Sequence, residues 1–272
     1  MRTLRQVSRR ATDMGVRLPG ILPTLTAAGI VPRRGQVTMI AGPPNGGKSL
    51  LALWYVTHRS IPTLYFSADT DDSTTLLRAV AMLTGSKVEN VERELDEGGD
   101  YDKQLGDTSH LRFCFEPSPT LEDIDLEIRA YEEIFGEPPH CIIVDNLMNV
   151  IAETADEYGG MRDISRALHH IARVTGAAIL LLHHTSENEG KPGRPPARKA
   201  VIGKVNQLPE LILTVAMEPQ KGLYHVACVK NRSGPHDPTG DTFTTLFVDP
   251  ARMALYDDRQ QAALAAARED YA

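Results

Sequence analysis

The sequence of 272 residues contains no apolar run approaching the ~20 residues that a membrane-spanning helix needs, so a helical membrane protein is excluded and a soluble chain is expected. Cysteine is scarce. Cys114, Cys141 and Cys228 are odd in number and far apart, which supports neither a disulfide framework nor a zinc-binding spacing. They read as small core residues in a reducing, cytoplasmic compartment. Residues 1–17 carry Arg2, Arg5, Arg9, Arg10 and Arg17 but lack the apolar stretch and small-residue cleavage site of a secretory signal. This segment is expected to be a basic linker. Internal repeats are absent as well, and the length suits one large α/β domain with too little left for a second.

There is also no excess of positive charge. A net charge of −7 argues against a protein that coats nucleic acid with its whole surface, although a local basic patch would suffice for binding. The charges are unevenly spread: residues 86–102 hold Glu89, Glu92, Glu94, Asp96, Glu97, Asp100 and Asp102, whereas residues 190–204 hold Lys191, Arg194, Arg198, Lys199 and Lys204 with no acid. The two regions are expected to face different partners.

The strongest positive signal is Gly42-Pro43-Pro44-Asn45-Gly46-Gly47-Lys48-Ser49, a complete G-x-x-x-x-G-K-S phosphate-binding loop. A strand-like run precedes it and a helical pattern, beginning Ser49-Leu50, follows. In such a loop backbone N–H groups cradle phosphate oxygens, Lys48 reaches the β- and γ-phosphates, and the Ser49 hydroxyl ligates Mg²⁺. ATP and Mg²⁺ are the expected ligands.

Further apolar runs at residues 63–66, 111–115, 141–144, 178–182, 211–215 and 224–229 alternate at first with helical patterns at 73–83, 121–135 and 164–174. That alternation implies a mainly parallel sheet flanked by helices, with the helix-free later strands as antiparallel additions. Cys141-Ile142-Ile143-Val144-Asp145 has the form of a Walker B strand, with Asp145 placed to hold the Mg²⁺ shell. Asp69 is the candidate to orient the attacking water; Asp71 and Asp72 compete for that role, and Asp72 is expected to cap the next helix instead. His183 and His184 end another apolar strand. Neighbouring strand residues point to opposite faces, so a polar sensor of the γ-phosphate fits better than a zinc site.

Together these elements resemble, over residues 18–255, the RecA-like motor domain of DnaB-type replicative helicases and their phage and plasmid relatives. Phe66-Ser67-Ala68-Asp69-Thr70 is similar to the family's F-S-L-E-M segment, with the shorter aspartate at the catalytic glutamate; Leu182-His183-His184 falls where the family has L-S-Q, placing His184 at the sensor. Histidine there also resembles plasmid ATPases of the RepA type. Val229-Lys230-Asn231-Arg232-Ser233-Gly234-Pro235 resembles the A-K-x-R-x-G-P stretch, which implies that Lys230 and Arg232 act on a neighbouring subunit's γ-phosphate within a hexameric ring.

The resemblance places residues 185–204 at the DNA channel. Lys191, Arg194, Arg198, Lys199 and Lys204 would neutralise phosphates, while Pro192, Pro195 and Pro196 keep the loop extended. The loop has no aromatic residue, so backbone tracking rather than base stacking is expected. Lys48 lies too near the start to leave room for the family's primase-interacting N-terminal domain, and residues 256–272 are expected to form a helical tail. The implied function is a DNA-dependent ATPase, a ring helicase on single-stranded or forked DNA. The alternatives are a recombinase or loader ATPase that switches DNA affinity, and a nuclease using Asp69, Asp71, Asp72 and Asp145 to gather divalent metal.

Overall fold

The computed structural model describes residues 15–152, 157–186 and 193–267. Strands β1 (Val37–Gly42), β2 (Thr63–Ser67) and β4 (Cys141–Asp145) are buried at every position, which requires a sheet covered on both faces. With β3 (Leu111–Cys114), β5 (Ala178–His184) and β6 (Leu211–Glu218) they form a parallel block. Strands β7 (Leu223–Asn231), β8 (Thr244–Asp249) and β9 (Ala254–Tyr256) add antiparallel to it. The sheet order is β3-β2-β4-β5-β1-β6-β7-β8-β9.

Alternation along β1 sends Ile40 to one face and Val37, Met39 and Ala41 to the other. The first face packs on helix α2 (Lys48–Arg59) and on Leu18, Ile21, Leu22 and Leu25, the last of these in the short helix α1 (Pro23–Ala27). The second packs on helices α6 (Leu121–Phe135) and α7 (Glu157–Thr175), through Ile124, Ile128, Ile164 and Leu168. Because the central strands are parallel, β1, β2, β4 and β5 all deliver their carboxyl ends to one edge, where open α/β sheets bind ligands.

Several expectations need correction. Asp71, not Asp72, caps helix α3 (Asp72–Thr84): Asp71 keeps an extended backbone and accepts from the Thr74 N–H at 2.7 Å, whereas Asp72 is already helical. The acidic segment has a structural role within the fold. Val88, Val91 and Leu95 give it an apolar stripe, and it folds as α4 (Val88–Asp96) against Val80 and Ala81 of α3, with α5 (Asp102–Gly106) following. Of the cysteines only Cys141 is fully buried; Cys114 and Cys228 are half-buried. Of the expected basic linker, residues 1–14 lie outside the described residues, but Gly15 donates to Arg34 O at 2.7 Å and Arg17 pairs with Arg33, so the end of that segment is fixed to the body. The expected tail begins as helix α8 (Arg259–Ala267), with residues 268–272 outside the described residues. No described helix is long and apolar enough to cross a membrane.

Candidate nucleotide site and adjoining groove

The phosphate-binding loop joins β1 to α2, and its glycines are required by shape. Gly47 has φ +83°, and a Cβ there would lie 2.5 Å from Cε2 of Tyr224. Tyr224 is fully buried on β7, and its hydroxyl donates to Gly47 O at 2.9 Å, so a distant strand props the loop. With glycine at the N-cap, the first-turn N–H groups of α2 are presented to an anion without a competing side chain. Lys48 is buried, and its ammonium donates to Gly42 O at 3.2 Å and Pro43 O at 2.9 Å. Burial lowers its pKa, opposed by the nearby Asp145 and Asp69 carboxylates.

Asp145 ends β4 and is 3% exposed. Burial raises its pKa; the hydrogen bonds from Ser49 and from the Tyr65 hydroxyl, the latter 2.9 Å, hold its charged form. Ser49 and Asp145 are thus neighbours offering hard oxygen donors, which suits a Mg²⁺ ion that keeps waters and shares substrate phosphates. A closed metal cage is absent: no group of three or more His, Cys, Asp or Glu that could hold a metal occurs among the described residues. The four aspartates of the nuclease alternative are therefore not gathered, because Asp71 turns to its helix cap.

Asp69 follows β2 and is exposed beside this pair. The residue that organises it is Asn146, which pattern reading had left without a role. The Met148 N–H donates to Asn146 Oδ1 at 2.8 Å, so the amide orientation is fixed and its NH₂ faces outward. That NH₂ donates to Asp69 Oδ2 and lies 3.4 Å from His184 Nε2. Asn146 is 2% exposed and joins the water-positioning candidate to the sensor candidate across three strand ends. Burial and the Lys48 charge lower the His184 pKa, which keeps its Nε2 an acceptor for that amide. His183 points to the opposite side, with Nε2 2.9 Å from Ile202 O.

From this edge a groove of about 1020 Å³ runs away from the loop, lined among others by Pro44, Asp69, His184, Arg162, Lys199 and Lys204. Its floor is the segment after β5, tied back by Ser186 N–H to Ala200 O at 2.8 Å and by a Thr185–Val201 bridge. The expected extended loop is corrected here: Arg198–Ala200 and Ile202–Gln207 coil into 3₁₀ turns. The expected DNA-binding cations also divide. Lys199 and Lys204 line the groove, Arg194 and Arg198 line a neighbouring cavity where Arg194 sits 3.6 Å from Asp241, and Lys191 lies outside the described residues.

Lys230 and Arg232 lie at the other end of the sheet. β7 pairs Asn231 with Leu211, and Leu211 with Thr38 at the start of β1, so the two cations stand roughly 15 Å from their own loop at the rise of an extended strand. Lys230 Nζ donates to Asn206 O and Gln207 O at 3.1 and 2.6 Å; burial, with Arg232 and Arg198 nearby, lowers its pKa to about 8. Arg232 reaches the Gln207 and Leu208 carbonyls and, at 3.5 Å, buried Glu210. Glu210 also accepts from the Val37 N–H at 3.0 Å and meets His169 at 2.8 Å.

Comparison with known proteins agrees with this fold. Residues 27–190 match the family model described as an AAA domain. The Gene 65 protein of Mycobacterium phage L5 is 32% identical over 254 residues, covering 90% of this chain and 95% of that protein. The DNA repair protein RadA of Mycobacterium tuberculosis (strain CDC 1551 / Oshkosh) is 26% identical over 247 residues, 86% of this chain but 43% of RadA. A solved DnaB-like replicative helicase, described with its interactions with primase, superposes with a TM-score of 0.71 at 15% identity, covering 82% of this chain and 57% of that one. The chain thus spans about half the length of RadA and of the helicase. It belongs to the AAA domain family, is related to the mycobacteriophage Gene 65 protein, and has the RecA-like fold of the DnaB-like helicase.

Proposed function

We propose that this chain is a DNA-dependent ATPase that assembles head-to-tail into a ring, hexameric in the simplest case, and moves along single-stranded or forked DNA in the cytoplasm. The observation that carries this reading is continuity. Lys48, Ser49 and Asp145 stand beside Asp69, Asn146 and His184, and the same edge opens directly into the groove bearing Arg162, Lys199 and Lys204.

Lys48 exchanges its two loop carbonyls for the β- and γ-phosphates of ATP. Ser49 and Asp145 would hold Mg²⁺, which would supply charge neutralisation on those phosphates. Asp69, held by Asn146, orients the attacking water through a side chain one methylene shorter than glutamate. His184 reads the γ-phosphate through the Asn146 amide and passes its state along β5 into the segment that His183 and Thr185 tie to the groove. Lys230 and Arg232 are too far from their own loop to act in cis, which supports a role toward the next subunit's nucleotide.

The RadA similarity favours a second reading, a recombination or loading ATPase in which ATP switches DNA affinity without unwinding. A forked duplex with one fluorescent and one quencher-labelled strand separates the two. ATP-dependent strand release that Lys48→Ala abolishes supports the helicase; ATP-dependent binding without release supports the switch.

A further inference from the structure

The loop after β5 has no aromatic residue, but the fold supplies one from another element. Tyr158, in the first turn of α7, lines the groove beside the Ile202–Gly203–Lys204 turn and is 55% exposed. Its ring is seated against backbone: a Cβ at Gly203 would lie 3.4 Å from Tyr158 Cδ1 and 3.1 Å from Met161 Cε, and Gly203 has φ +76°. The positive φ favours glycine at this position. Lys204 follows at once, also with positive φ (54°), and lines the same groove as the ring. Arg162 lies one helical turn beyond Tyr158, its Nε donating to Tyr158 O at 3.3 Å. Among the described lining residues the cations are Arg162, Lys199 and Lys204, and Asp69, at the nucleotide end, is the sole acid.

A half-exposed aromatic residue and several cations lining one open groove is an arrangement that suits single strands, with stacking for the base and ammonium or guanidinium groups for the phosphates. We propose that this groove holds a single nucleic-acid strand with one base stacked on Tyr158, and that Arg162, Lys199 and Lys204 neutralise the flanking phosphates. The inference rests on the DNA-motor reading and adds a base contact where the sequence implied backbone tracking alone. Stacking on an aromatic face tolerates any base, so the site is sequence-independent in the same way as the phosphate contacts.

The test is equilibrium binding of the full chain to a fluorescein-labelled thymidine oligonucleotide, in parallel with the same oligonucleotide carrying one 2-aminopurine, at several salt concentrations. The proposal predicts that wild type quenches 2-aminopurine, that Tyr158→Ala binds roughly tenfold more weakly and loses the quench, and that Tyr158→Trp keeps both. Tyr158→Ala should leave the salt dependence unchanged, whereas Lys204→Ala should lower its slope by about one phosphate. Because the ring is exposed, circular dichroism of Tyr158→Ala should match wild type. If wild type binds the strand but Tyr158→Ala binds and quenches equally well, the stacking site is overturned while the motor reading stands. If wild type binds no single strand at any salt concentration and its ATP turnover ignores DNA, both fall.

Discussion

Each candidate site group owes its state to a neighbour that holds it. Lys48 is parked on two loop carbonyls, Asp145 is held by Ser49 and Tyr65, and Asp69 is held by Asn146, whose own direction the Met148 N–H fixes. Removing the cation should be decisive: Lys48→Ala should lower kcat at least about a hundredfold, measured by phosphate release. Asn146 gives the sharper test, because it contributes orientation and no charge. Asn146→Ala should lower kcat about tenfold or more through a misplaced Asp69 while a fluorescent ATP analogue still binds, since the loop is untouched. Unchanged kcat in that variant would remove the bridge from the account. The amide was invisible to pattern reading: an asparagine after a buried strand is an ordinary turn residue, and its role depends on three strand ends meeting in space. Lys48, Ser49 and Asp145 were legible because phosphate chemistry fixes their residue types and spacing along the chain.

Elements rather than single residues set the shape of the site. β1, β2, β4 and β5 were readable as apolar runs, and β6 and β7 likewise, since fully buried strands leave little room for polar residues. The short β3 was readable at residues 111–115 as well, but β9 and α4 were not. β9 has three residues, too few to show alternation, and the apolar stripe of α4 is thin among its acids. The support of the phosphate loop by β7 was equally hidden, because Tyr224 and Gly47 are separated by most of the fold in sequence. Tyr224→Phe keeps the ring packed but leaves Gly47 O without that donor, which should cost about 1 kcal/mol. A melting temperature lower by about 2–4 °C, with a raised KM for ATP, is the expected outcome. A lower melting temperature with unchanged KM would mean that Tyr224 supports the core and not the loop.

At the scale of the whole molecule, the antiparallel additions carry Lys230 and Arg232 to the far end of the sheet, away from their own phosphate loop, which is the placement that the proposed role toward a neighbouring subunit requires. Arg232→Ala should lower turnover at least about tenfold while leaving nucleotide binding intact, and mixing it with Lys48→Ala should restore part of the activity. The Lys230 ammonium adds a pH signature. Its folded pKa of about 8 lies below the ordinary lysine value, so its charge is fully present below pH 8 and is lost as pH rises through that value. Turnover of the assembled protein should therefore decline above pH 8, and Lys230→Arg should move the decline upward. The same depression makes the folded chain bind fewer protons than the unfolded one between pH 8 and the usual lysine range, so this group favours stability as pH rises there.

The most direct measurement is steady-state ATP hydrolysis by wild type and Lys48→Ala, with and without single-stranded DNA. The account predicts hydrolysis that DNA stimulates severalfold and that the substitution abolishes in both conditions. Hydrolysis that is indifferent to DNA, or that survives Lys48→Ala, would contradict a DNA-coupled motor built on this loop.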